Sequence, residues 1–540
     1  MTDKVKVKVP KRSGFDKSHQ NLLTTKCGTL TPVLVDELIP NSHVNLDAAV
    51  SAALPPLASD TFMRCDLKME AFFVPTRILY GGYESWLTNE KLYDADEDTD
   101  VDVLLPTLQV TNTNSFSALT AAGTLYDYLG GKKLVPSASA TSIGNINIFP
   151  FLAYYKIYDD WYRNTQVQRP LFSRDPNTFN TGTITCLPYE LYTSSPASNS
   201  NAHSLGESFG LNSAYTFGQL MQRNFGLDYF TIATPKEQMG DAQKVTFATN
   251  GATGNFTIAA LRAANSLQQF AERNALGGVR MQDFVKNQYG ADLSSGVAQR
   301  ALYLGSTSFN VYSKGIYQNA NGDGGVQVEN PFSDSVGAEF GSARATGEGN
   351  LVKDFTTAEP GYLMVIASLV PKVTYSSGLS RLLARYNTGF RGDITDMANP
   401  LLQNIGNQPI FQYELVSDKA FNAYEKTKVF GFTERFADWK YMPDELHGLV
   451  RDGESLESFA LQRTLSGDPI ISSEFLEIPT NYLDQVAAVN GTISKYGCWF
   501  DSYFKYHVSM PLAEYSIPSL QDPAYEHGND VSIDIRGSRL

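Results

Sequence analysis

The chain has 540 residues, enough for two or three ordinary domains or for one domain with large insertions. Its 42% hydrophobic content is ample for a core, and only 19% charged residues with 29 Tyr and 31 Phe suit a protein that buries surface against copies of itself. The net charge of −14 excludes a protein that coats nucleic acid over its whole surface.

The charge is unevenly placed. Residues 1–26 read as a basic N-terminal arm, in which Lys4, Lys6 and Lys8 alternate with Val5, Val7 and Val9 and are followed by Lys11 and Arg12. If the arm is extended, this alternation sends the lysines to one side and makes a ribbon of charge for phosphates. These five basic residues are the candidate DNA contacts, and no base-reading group accompanies them, so such contact would be independent of sequence. A solubilising tail is the competing reading. The arm carries charge but no apolar h-region, so no secretory signal is expected. Residues 27–540 read as a single domain. Cys27, Cys65, Cys186 and Cys498 stand too far apart for a CxxC pair or a zinc set, and read as buried thiols of a reducing compartment.

Asp66 to Val74 is the first clear strand, with Leu67, Met69, Ala71 and Phe73 on one face and Asp66, Lys68 and Glu70 on the other, closed by Pro75. Residues 94–147 begin acidic and turn rich in Thr, Asn, Ser and Gly. Asp94, Asp96 and Asp98 could hold a hard cation, but the run lacks the glycine and distal glutamate of a calcium loop, and a solvated acidic loop is the better reading. A helix is expected from Pro150, with Phe151, Tyr154, Tyr155, Tyr158, Trp161 and Tyr162 at helical spacing. Residues 175–256 are a long polar stretch. Within it, Gly206 to Gly210 matches GxSxG around Ser208, but polar residues precede it where a nucleophile elbow needs a buried strand, so a loop is expected.

Ala260, Ala263, Ala264, Leu267, Phe270 and Ala271 make one helical stripe, expected to be core, and a shorter helix runs from Met281 to Tyr289 before Gly290. Residues 314–350 are another Gly- and Asn-rich stretch. Tyr362 to Val370 is a continuous apolar run that reads as a strand covered on both faces. It contains the longest apolar run, about half of what a membrane span needs, so no membrane partner is expected. Val429 to Phe436 is a strand candidate. Cys498 to Met510 alternates, with Cys498, Phe500, Phe504, Tyr506, Val508 and Met510 on one side. Strands gathered from distant parts of the chain, with long insertions between them, suit a jelly roll better than a doubly wound α/β fold. No HExxH, no P-loop and no GxGxxG after a strand occurs, so no catalytic residue and no cofactor is expected.

The run from Gly431 to Gly448 sets Phe432, Phe436, Trp439 and Tyr441 among mixed charges, without helical periodicity and without metal or catalytic spacing. Such a segment suits a flat, desolvated contact surface. It resembles a segment of the major capsid proteins of microviruses, the small single-stranded DNA phages, and above all their gokushovirus-like branch. The same family resemblance runs through RSGFDKSHQNLLTT (Arg12 to Thr25), FFVPTR (Phe72 to Arg77) and YYKIYDDWYRN (Tyr154 to Asn164). It continues through Leu261 to Gly290, QRALYLGS (Gln299 to Ser306) and YSSGLSR (Tyr375 to Arg381), in the family's order. The stretch after Met510 fits the family only loosely, and the Lys–Val arm maps onto none of its motifs.

The resemblance implies a mainly β, eight-stranded jelly roll of viral capsid type with long loop insertions and a few helices. Copies would tile a small icosahedral, T=1-like shell around circular single-stranded DNA, made and assembled in the cytoplasm of a bacterial host. The implied partners are the chain itself, the packaged DNA, minor or internal viral proteins and a host-surface receptor. A projecting insertion is expected at 175–256, with 94–147 as the alternative. Arg435, Trp439, Tyr441, Trp161 and Arg163 are the candidate subunit contacts. The competing classes are a jelly-roll carbohydrate- or surface-binding module and a hydrolase using Ser208.

Overall fold

The protein was analysed as a computed structural model. It describes residues 12–80, 83–87, 91–94, 99–102, 107–110, 121–131, 143–168, 202–204, 220–237, 262–267, 269–270, 281–294, 299–318, 339–384, 406–416 and 428–512. In chain order the strands begin with β1 (Ser13–Asp16), β2 (His19–Thr25), β3 (Thr31–Leu38), β4 (His43–Ala53) and β5 (Cys65–Pro75). Five short ones follow: β6 (Lys91–Asp94), β7 (Thr99–Asp102), β8 (Thr107–Val110), β9 (Ile143–Asn147) and β10 (Ala202–Ser204). The remainder are β11 (Leu302–Gln318), β12 (Glu339–Thr356), β13 (Gly361–Pro371), β14 (Gln408–Phe411), β15 (Val429–Thr433) and β16 (Cys498–Met510).

Among the described residues, nine of these strands form one continuous antiparallel sheet, ordered β1-β16-β4-β12-β11-β5-β13-β3, with β2 also on β16. Strand β11 makes the corner. Its first part, Leu302 to Val311, pairs with β5, and its second part, Tyr312 to Gln318, pairs with β12. The sheet therefore curls into two packed halves, β2-β16-β4-β12 and β3-β13-β5-β11. Numbering those eight strands one to eight along the chain, the halves read 1-8-3-6 and 2-7-4-5, the double Greek key of a jelly roll. The ninth strand arises because the first edge is split: β1 pairs with His507–Met510 and β2 with Cys498–Phe504, around a break at Lys17-Ser18.

Alternation decides what fills the space between the halves. Cys498, Phe500, Phe504, Tyr506, Val508 and Met510 of β16 all point inward, while Trp499 and Tyr503 are left exposed. Leu67, Met69, Ala71 and Phe73 of β5 enter the same core. In β13 all eleven residues are buried. Leu363, Val365, Ala367 and Leu369 face the core between the sheets, whereas Tyr362, Met364 and Ile366 face a second cluster behind. That second cluster is built by the helix Phe149–Ile157, which continues as a π-helical turn over Tyr158–Tyr162 and lies against β5 and β13. The continuous apolar run thus has one face for each layer. A third cluster gathers Tyr229, Phe230, Tyr375, Ile410, Phe430 and Phe475 around the β14–β15 hairpin.

Two local expectations change. Residues 262–267 and 269–270 are helical, but Leu267 and Phe270 are 51% and 46% exposed, so these two residues of the stripe do not face the chain's own core, while Ala260 and Ala271 lie outside the described residues. The strand at 429–436 stops at Thr433, because Phe436 takes a left-handed conformation (φ 64°) and opens a short helix, Ala437–Lys440. The helix Met281–Tyr289 does end at Gly290, whose φ is +67°.

The inter-sheet core predicts a large single-site cost. Phe504 is fully buried between the halves, and Phe504→Ala is expected to lose about 3–5 kcal/mol of unfolding free energy, measured by urea denaturation.

Candidate subunit interface

The segment after β15 is anchored from below and bare on top. Phe436 is buried, and its backbone N–H donates to Gln408 Oε1 at 2.7 Å, while Gln408 Nε2 donates to Asp438 Oδ1 at 2.9 Å. Ala437 is fully buried under the short helix. One turn later the chain runs beside residue 375: Tyr375 N donates to Asp444 O, and Leu446 N donates back to Tyr375 O, both at 2.9 Å. Between these fixed ends Trp439, Tyr441 and Met442 stand 54%, 45% and 95% exposed.

Neighbouring apolar groups extend this surface. Leu449 and Leu456 are exposed on an arch closed by Leu456 N donating to Leu449 O. Phe62, 83% exposed, is tied in through its N–H to Phe459 O at 2.8 Å, and the Arg64–Asp444 ion pair at 2.7 Å bridges the same two segments. Aromatics and methionine grouped on a rigid platform mark a protein contact surface rather than scattered exposed side chains.

Beneath the platform lies a buried polar group. Arg381 and Asp438 pair at 3.8 Å, each about 10% exposed at the side chain. Glu414 accepts from Phe411 N at 3.0 Å and from the Tyr229 hydroxyl at 3.2 Å. Burial raises the Glu414 carboxyl to about 7, against the opposing pull of Arg381 and those two hydrogen bonds.

The aromatic helix positions a second partly exposed site. Its π turn carries both Asp159 and Asp160 inward. Arg163 Nε pairs with Asp159 Oδ1 at 2.6 Å and Nη1 donates to Gln168 O, which leaves Arg163 buried inside its own chain. Asp160 accepts from Lys156 and from Ala301 N. Trp161, 37% exposed, donates to Ala301 O and lies under the Arg300 guanidinium at 3.9 Å. Arg435 is half-buried against the Phe436 ring at 5.5 Å. The interface candidates therefore divide. Trp439 and Tyr441 are open, Trp161 and Arg435 are partly open, and Arg163 is enclosed. Met442, Leu449 and Phe62 were not singled out from the sequence, where an isolated apolar residue in a polar run carries no periodic signal.

Several candidates fall elsewhere. Arg12 donates from Nη2 to Asn41 Oδ1 at 2.7 Å. Lys4, Lys6, Lys8, Lys11, Asp96, Asp98 and Ser208 lie outside the described residues, and only the backbone of Asp94, in β6, is described. Among the described residues no group of three or more His, Cys, Asp or Glu could hold a metal ion, and no helix is long and apolar enough to cross a membrane. Of the 175–256 stretch, residues 220–237 belong to the packed body, with Met221, Phe225 and Tyr229 each in one of the three clusters. Cys27, Cys65 and Cys498 are free and buried, and burial pushes each thiol up, Cys498 to about 12, which leaves them inert as nucleophiles.

The family described as "Capsid protein (F protein)" matches residues 3–520. The chain belongs to that phage capsid family. Capsid protein VP1 of Chlamydia phage 1 is 24% identical, over 95% of this chain and 96% of the relative. Capsid protein VP1 of Bdellovibrio phage phiMH2K is 24% identical over 94% and 95%, and that of Spiroplasma virus 4 is 25% identical over 94% and 95%. The microvirus resemblance is borne out, and the capsid protein is a structural component of a virion rather than an enzyme. The Chlamydia phage alignment runs over 628 positions, more than this chain's own length, so the two capsid proteins differ by insertions.

The buried carboxyl beneath the platform predicts a pH dependence. Glu414 titrates near 7 when folded and near 4.5 ordinarily, so between these values the folded chain holds a proton the unfolded chain has lost. Stability contributed by this group is present at about pH 5 and is lost as pH rises through about 7. In urea denaturation at both pH values, the wild-type-minus-Glu414→Gln difference is expected to shift by about 2–3 kcal/mol in favour of wild type at the lower pH.

Proposed function

We propose that this capsid protein assembles with copies of itself into a small icosahedral, T=1-like shell that encloses a circular single-stranded DNA genome. The carrying observation is the exposure of the Trp439, Tyr441, Met442 and Phe62 side chains on a packed jelly roll whose family is that of phage capsids. A closed shell needs repeated patches on every copy, and a preformed rigid patch lowers the ordering cost of each contact. Trp161 and Arg435 are second-line contacts on this reading, and Arg163 acts inside its own chain by fixing the turn that presents Trp161.

The surface insertions are proposed to project and to meet a host receptor. The part of 175–256 proposed to project leaves out residues 220–237, and 94–147 is the other candidate. The insertions that separate this chain from the Chlamydia phage 1 relative are in keeping with variable loops. Minor or internal viral proteins are further proposed partners, and assembly in the bacterial cytoplasm is proposed with them, in keeping with the three buried free thiols.

Electron microscopy of the purified protein, expressed with and without its neighbouring viral proteins, tests the shell. Uniform icosahedral particles in either case support it, and a discrete small oligomer in both refutes it. A charge placed in the patch gives a sharper check. Met442→Glu is expected to reduce particle yield strongly while leaving the melting temperature of unassembled protein within about 2 °C, because the side chain is 95% exposed in the isolated chain.

A further inference from the structure

The two halves of the jelly roll differ in their outer cover. In one half the Phe149–Ile157 helix lies against β5 and β13, whereas the outer face of β2-β16-β4-β12 is exposed. Register fixes what that face displays. The outward residues of β16 are Trp499, Asp501, Tyr503 and Lys505, and directly opposite them on β4 stand Ala53, Ser51, Ala49 and Asp47. Trp499 and Tyr503 are 40% and 45% exposed. A raised row with two aromatics therefore runs beside a row of small residues, one strand spacing of about 4.8 Å away. A hollow of about 210 Å³ opens over Ala49, rimmed by Asp47, Glu348, Asn350 and Lys505. It has room for one large aromatic side chain.

The carboxylates of this face are satisfied within the chain. Glu348 pairs with Lys505 at 3.3 Å, Asp47 accepts from Asn350 Nδ2, and Asp501 accepts from Gln20 Nε2 at 2.7 Å. Such a face can be covered without stranding a bare charge. Only Lys505 and the exposed Arg344 of β12 stand against these three carboxylates, so phosphates would be repelled. The chemistry fits a protein partner.

The pattern is complementary to itself. A two-fold axis lying in the contact plane, parallel to the strands and midway between β16 and β4, sets the raised row of each copy over the small row of the other. Trp499 then meets Ala53 of the second copy, and Tyr503 enters the hollow over Ala49. Asp501 faces the Ser51 hydroxyl, and Lys505 faces Asp47. The flanking strands match as well. Their registers bring Leu22 of β2 onto Thr346 of β12, and Gln20 onto Glu348. Sheets pack face to face in this aligned way, about 10 Å apart. Four strands by four rows cover about 19 by 27 Å on each copy. Two copies would bury roughly 1,000 Å², the size from which a contact is specific.

We propose that the outer face of β2-β16-β4-β12 is a two-fold contact between copies, each laying its Trp499–Tyr503 row along the Ala49–Ala53 row of the other. The contact rests on the self-assembly reading and supplies something that reading needs. An icosahedral shell has two-fold axes, and a contact across one must be self-complementary.

The test is single-site cross-linking in assembled particles. Ser51→Cys lies on the exposed face, and a bis-maleimide spanning about 10 Å is expected to join two copies into a covalent dimer and nothing longer. Wild type, whose Cys27, Cys65 and Cys498 are buried, gives the background. Absence of the dimer in intact particles, or a ladder beyond it that wild type lacks, would overturn the proposal. Charge reversal supplies a second readout. Lys505→Glu and Asp47→Lys each set like charges against a second copy of the same variant, so each alone is expected to lower particle yield several-fold. Mixing the two variants restores opposite charges at both positions across the axis, and yield is expected to recover. Unchanged yield from both single variants, or no recovery on mixing, refutes the contact. Loss of DNA content alone, at unchanged yield, also refutes it and assigns the face to the genome. If wild type forms no particles, the shell reading fails separately. The Ser51→Cys dimer formed in solution would then still support the sheet contact, and its absence there would overturn it.

Discussion

Burial on both faces of β13, and of the Ala71–Pro75 half of β5, is the constraint on which the rest of the structure depends. Each alternate residue of β13 enters the inter-sheet core, and each residue between enters the cluster under the Phe149–Tyr162 helix. Neither strand can slip by one residue without exchanging two sets of fitted side chains. With these strands fixed, β11 can bend from one half of the sheet to the other, and the chain's distant ends can meet in β2 and β16. The aromatic helix is thus a second layer of the fold, and its buried Asp159–Arg163 pair is what holds the turn beyond it.

The surface chemistry follows from the same economy of burial. Elements that close the core spend their apolar residues inward, so apolar residues left outside are informative. The β14–β15 hairpin and the third cluster support a platform whose underside is satisfied through Gln408, Asp438, Arg381 and Glu414. Its upper side leaves Trp439, Tyr441 and Met442 in water. A monomer gains nothing from that exposure, while a repeated assembly gains a desolvated contact from it.

Much of this was legible in the sequence wherever periodicity reports burial. Cys498 to Met510 alternates in sequence as it does in space, and the Tyr362–Val370 run declares two-sided cover. The Pro150 helix and the Gly290 stop were likewise visible. The Leu267–Phe270 stripe shows the limit, because helical spacing reveals an apolar face but not what covers it. Arg163 shows another. An arginine next to aromatics reads as a contact residue, and only the inward π turn turns it onto Asp159. Phe62 and Met442 sit far apart in sequence and carry no pattern. The Arg64–Asp444 pair brings their two segments together.

By itself the sequence determined the local strands and helices, the mainly β class and the kinship with phage capsids. These follow from short-range periodicity and from motifs whose order along the chain is itself the signal. Tertiary structure alone decided the split first strand, the corner in β11 and which aromatics stay exposed. Those features depend on pairings between residues hundreds of positions apart, and the free energy of such a pairing is not written in either partner's neighbourhood.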